Sequence, residues 1–172
     1  MINFWKRRPA LWGALGLLVG AVVAGFCPHA PLHASATDRY ETFAIATGMV
    51  DDGVEAIYFL DFLTGDLKAA VLSKQVPPRF NSFYQRNILN DLGISPTNNP
   101  RYLMVTGLND LRRGGSVLKP SIGVCYIAEI TSGRVAAYAI PWNANRHAMG
   151  QITQGEIMLL DVKQFRTAAV RP

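Results

Sequence analysis

The sequence has little of the chemistry that marks catalytic and metal-binding proteins. Among 172 residues there are two cysteines and three histidines, and beyond residue 36 only Cys125 and His147 remain. A single cysteine in that stretch excludes an internal disulfide framework. No C-x-x-C, H-x-x-x-H or H-E-x-x-H spacing occurs, so no recognised zinc motif is present. Also missing are a G-x-S-x-G nucleophile elbow, a G-x-G-x-x-G turn and a phosphate loop ending in G-K-[ST]. Asp51-Asp52-Gly53 offers oxygens in a turn but lacks the other ligands of a calcium loop. No metal site and no cofactor are expected.

Charge is equally uninformative about partners once the N-terminus is set aside. The whole chain carries a formal +5, yet Lys6, Arg7 and Arg8 sit in front of an uninterrupted apolar stretch, Ala10 to Phe26. A-x-A follows at Ala34-Ser35-Ala36, completing the pattern of an export signal. The apolar stretch is long for a signal core and short for a span of about 20 residues. Residues 1–36 therefore read as a signal peptide or an uncleaved N-terminal membrane anchor, and both place the rest outside the cytoplasm. Phe26 stands before Cys27 where lipoprotein signals carry a small residue. Beyond residue 36 the balance is 14 basic against 12 acidic groups, a net +2 with no basic stripe, and nucleic acid is not an expected partner.

What the sequence does have is a repeat. "AIYFLDFLTGDLKAAVL", Ala56 to Leu72, matches "VCYIAEITSGRVAAYAI", Val124 to Ile140, without a gap at an offset of 68. Tyr58 aligns with Tyr126, Asp61 with Glu129, Thr64 with Ser132, and Gly65 with Gly133. Upstream, "FAIATG" from Phe43 resembles "YLMVTG" from Tyr102 at an offset of 59. Aromatic and β-branched runs around Thr-Gly or Ser-Gly are a hairpin signal, with glycine supplying positive φ after a type I turn. A carboxylate four residues before each glycine points to a bond with turn amides or to a solvent-facing strand position.

Between the copies, Phe80, Tyr84, Ile88 and Leu92 fall four apart, with Phe83 and Leu89 beside them. This spacing predicts one amphipathic helix over 81–92, capped by Asn81 or Ser82 and ended by Gly93. "EIMLLDV" reads as a seventh strand and "RTAAVRP" as a frayed tail. The expected fold is mainly β (α+β): a duplicated three-stranded antiparallel meander, residues 43–72 and 102–140, with the helix between copies. The exported part, 37–172, would be one domain, its sheets packed on each other or arranged like propeller blades.

The pattern Y-x-x-[DE]-x-x-[TS]-G-x-[LV]-x-A resembles the inner strands of a β-propeller blade of the quinoprotein or YVTN-like kind. A full propeller has at least four blades, and this chain has material for about two, so the resemblance brings no quinone with it. As a whole, the chain resembles short exported proteins of unknown function from planctomycete-type bacteria, through "ATG", "YFLDFLTGDL", "YLMVTG" and "VAAYAIPW". That resemblance implies export and no activity.

The functional expectation is a noncatalytic binding or structural module of the cell envelope. Its partner would be an envelope protein, a glycan or further copies of the chain, and it would meet membrane only through an uncleaved N-terminus. The alternative is an envelope hydrolase using Asp61 and Glu129. Trp142, with Tyr138 and Asn143, is the candidate ligand-binding surface, because tryptophan offers a flat apolar face and one donor. His147 is expected on the surface, and Cys125, aligned with Ile57, as a buried inert thiol.

Overall fold

The computed structural model describes residues 16–19, 37–39, 41–94, 100–109, 111 and 119–166. The chain divides at Ala34/Ser35 into two units. In the first, residues 16–19 are helical, and the remainder of the expected export signal lies outside the described residues. Among the described residues no helix is long and apolar enough to cross a membrane.

The second unit is mainly β. One sheet runs, in spatial order, β1 (Thr37–Arg39), β2 (Phe43–Asp51), β3 (Val54–Asp61), β4 (Asp66–Leu72), β5 (Phe80–Asn87) and β11 (Thr153–Glu156). The other has β6 (Tyr102–Leu108), β8 (Gly123–Glu129), β9 (Arg134–Ala139) and β12 (Met158–Gln164), read from one edge to the other. A short ladder joins β7 (Lys119–Pro120) to β10 (Pro141–Trp142). β2 to β5 form an antiparallel meander, as do β6, β8, β9 and β12, so the duplicated unit has four strands rather than three. β1 extends the first sheet antiparallel to β2, and β11 lies parallel to β5.

The fourth strand corrects the expected helix. Residues 80–87 are β5, and only α1 (Leu89–Leu92) is helical before Gly93 ends it at φ 62°. Positions four apart share one face in a helix and also in a strand, because four residues make about one helical turn and two strand periods. β4 decides between them: its outer edge would otherwise leave amides and carbonyls unpaired, and β5 pairs it from Asp66 to Leu72. A second helix, α2 (Ala144–Ala148), follows β10.

The core lies between the two sheets. β3 alternates buried and outward positions along its length, as a strand covered on one side does. From the first sheet, Ala44, Ala46, Tyr58, Leu60, Leu67 and Val71 point inward. They meet Tyr102, Met104, Ile127, Ala136 and Tyr138 of the second, with Ile88 and Leu92 in the same cluster.

At the centre of the joint the backbones come close. A Cβ on Gly123 would lie 2.1 Å from the Met49 carbonyl oxygen, and one on Gly48 would lie 3.2 Å from the side chain of Thr106. The Thr106 hydroxyl donates to the Thr47 carbonyl, and the Ile122 amide donates to Val50 across 3.2 Å. Gly123→Ala should therefore cost on the order of 2–3 kcal/mol by overpacking. Gly107→Ala, whose added methyl meets only the Tyr126 ring at 3.8 Å, should cost well under half as much. Denaturant titration of the two variants measures the difference.

Candidate functional site

The two turn acids are the residues that most resembled chemistry. In the first hairpin, Asp61 Oδ1 accepts from the amides of Leu63 (2.8 Å) and Thr64 (3.3 Å). In the second, the two oxygens of Glu129 accept from Thr131 (2.9 Å) and Ser132 (2.6 Å). Gly65 and Gly133 follow at φ 69° and 71°, and each amide donates to the carbonyl of its acid. The duplication extends further along the chain. Asn87 and Gln164 send side-chain amides to the carbonyls of Thr64 and Ser132, and the amides of Ile88 and Phe165 bond Gly65 and Gly133. Each carboxylate is thus engaged by its own turn, in a different sheet.

The acids differ in burial. Glu129 is nearly enclosed, whereas Asp61 is partly exposed. Burial alone would raise the Glu129 pKa, but bonds from Ser132 and Thr131 outweigh it and hold the carboxyl below its ordinary value. Its stabilisation is therefore present above the unfolded pKa of about 4.3 and disappears as pH falls through the lower folded value. Glu129→Gln should cost about 1.5–3 kcal/mol, the range for hydrogen bonds to a charged group, and should flatten the acid limb of stability. Asp61→Asn, exposed and still able to accept, should cost less than about 1 kcal/mol. Urea titrations across pH 3–7 compare them.

Trp142, Tyr138 and Asn143 do not form a shared solvent-facing surface. Trp142 is buried, donates from Nε1 to Asp51 Oδ2 across 3.0 Å, and packs tilted against the His147 ring, with centroids 4.8 Å apart. Tyr138 is fully enclosed and its hydroxyl reaches Asp91 Oδ2 at 3.2 Å. Burial, followed by the Asp91 charge, pushes its pKa up. Arg86 holds Asp91 with two bonds, 2.6 and 2.9 Å, and also contacts Glu156 at 2.6 Å. Asn143 caps α2 by accepting from Arg146.

His147 corrects the expectation of a surface residue: it is 4% exposed, because α2 folds it under Trp142. Neither ring nitrogen has a hydrogen-bond partner. Desolvation, then the nearby Lys74 charge, lowers its pKa, while Asp51 opposes them. The unfolded imidazole takes up a proton first, near pH 6.5, so stability should fall as pH drops below that value. His147→Gln should remove that part of the slope, read as thermal unfolding between pH 7.5 and 5. Cys125 is fully buried as expected, with its thiol pushed up to about 12 by desolvation. Among the described residues no group of acids, histidines and cysteines could hold a metal ion.

The remaining surface feature is an apolar patch on each sheet. On the outer side of the first sheet, Phe43 stacks on Phe59 at 5.1 Å, and Ile57, Ala70 and Phe83 continue the patch. A shallow hollow of about 710 Å³ lies there, its floor including Ile57, Phe59, Ala70 and Phe83, with Lys68 and Gln85 beside them. The outer side of the second sheet presents Leu103, Val105, Tyr126, Ala128, Val135 and Ala137.

These residues were not singled out from the sequence, yet a signal exists. "AIYFL" and "VCYIA" are apolar at both parities, the pattern of strands covered on two sides. No family model, curated protein or solved structure matches the chain.

Proposed function

We propose that the chain is an exported, noncatalytic binding or structural module of the cell envelope that works through its outer sheet faces. The observation that carries this reading is the apolar character of both faces. Large apolar side chains lie in neighbouring positions on solvent-facing strands, and contiguous patches of this kind mark interaction sites on soluble proteins. The polar residues that suggested chemistry are occupied elsewhere: two acids close turns, and Trp142 and His147 pack on each other. Export is supported by the basic flank, apolar stretch and A-x-A of residues 6–36.

Two measurements test this. When the chain is made with its own N-terminus in a bacterial host, mass spectrometry of the exported fraction should find a mature protein beginning at Thr37. Retention of the whole chain in the cytoplasm would sink the export reading. A tagged chain recovered under native conditions should bring down a macromolecular companion that Phe59→Asp loses and Asp61→Asn keeps. If no companion depends on either outer face, the binding reading fails.

A further inference from the structure

The two sheets are copies, but they do not meet through like faces. Ala44 and Ala46 are buried in the joint, whereas their equivalents 59 residues on, Leu103 and Val105, are 51% and 56% exposed. The reverse holds one position away: Tyr102 and Met104 are buried, and Phe43 and Ile45 point outward. The hairpins, 68 residues apart, follow the same rule. Tyr58 and Leu60 face the joint while Tyr126 and Ala128 face out, and Ile127 faces the joint while Phe59 faces out. Farther along, Ala136 and Tyr138 are inside where Lys68 and Ala70 are outside. The joint therefore unites one side of the first copy with the opposite side of the second. Each molecule also carries, on its two outer faces, the other half of that same joint.

We propose that a second copy of this chain covers these faces, packing the outer side of its second sheet on the outer side of the first sheet and repeating the internal joint head to tail. This deepens the reading above and rests on it. The internal joint is the template, since equivalent residues already bury one another there. Phe165 is independent support: its amide bonds Gly133 as that of Ile88 bonds Gly65. Ile88 is fully buried in the core, whereas Phe165 is 73% exposed, placed to fill the corresponding position between copies. Such an interface is heterologous, so every copy keeps one free face of each kind until the series closes into a ring.

The test uses the geometry of the internal contact. Gly48 and Thr106 meet inside the molecule with an ideal Cβ–Cβ distance of 3.2 Å, close to the roughly 3.5–4.5 Å of a disulfide. The equivalent pair between copies is Gly107 of one and Thr47 of the next. In the full chain, with Cys27→Ser as background, the double variant Thr47→Cys/Gly107→Cys should give a ladder of multimers on a non-reducing gel. The two single variants mixed should stop at a dimer, and each alone should stay monomeric. Dimers from either single variant alone would mean that like faces meet, and would overturn the proposal. So would a double variant that unfolds like wild type and forms no cross-link.

Should the cysteine variants fail to fold, Phe59→Asp and Leu103→Asp replace them. By light scattering, each should be monomeric while wild type is an oligomer, and their mixture should form a dimer; a monomeric wild type refutes head-to-tail assembly. If self-association fails but a Phe59-dependent companion of another kind is captured, only this inference falls. If no association depends on either face, the binding reading falls with it.

Discussion

The close approach of two backbones at the centre of the molecule is the constraint on which the rest depends. The start of β8 lies against the end of β2, and this is permitted because residue 123 has no side chain to meet the Met49 carbonyl. Gly48 makes the corresponding allowance beside Thr106, whose hydroxyl ties the sheets by bonding the Thr47 carbonyl. With the inner strands fixed, larger side chains fill the space between the sheets farther out, among them Tyr138, Ile88 and Leu92. Arg86 and Asp91 complete that margin with paired bonds, and Asp91 extends them to the Tyr138 hydroxyl. Small residues at the centre and large ones outside give a joint in which packing and hydrogen bonding agree.

The same economy explains the turns. An acid at the end of a strand satisfies two amides that a tight loop would leave unpaired, and the glycine after it takes the positive φ that other residues resist. Using this device in both copies fixes the register of both hairpins. It also removes the carboxylates from the inventory of free acids, so a feature that looks chemical in the sequence performs a mechanical task.

Legibility in the sequence followed the locality of each signal. The hairpins at Gly65 and Gly133, the β-rich class and the buried thiol of Cys125 could be read because each rests on a few adjacent residues or on direct alignment. β5 is not legible because spacing by four serves a strand as well as a helix, and what settles the matter is the open edge of the preceding strand β4, which no periodicity within 80–92 records. The burial of His147 is not legible, because it comes from α2 bringing the ring under Trp142, a contact with no periodic signature. The outer faces are legible in principle: Ile57 and Phe59 are as apolar as Tyr58 and Leu60, with which they alternate. A single strand cannot say which side its own chain covers.

That last point bears on how a chain of this size is stabilised. A domain of roughly 130 residues buries only about two thirds of the surface its unfolded chain exposes, so it has little apolar area to leave unused. Here a six-stranded and a four-stranded sheet cover one side each and keep a large apolar patch on the other, which costs solubility and adds nothing to the isolated fold. The arrangement is economical if covering comes from outside the molecule. Burial at about 25 cal/mol per Å² then stabilises the fold and the association together. Repetition makes such a surface simple to specify: a duplicated unit that packs front to back on itself necessarily ends in one free front and one free back. Closing those ends requires no new interface, only another molecule carrying the same two copies.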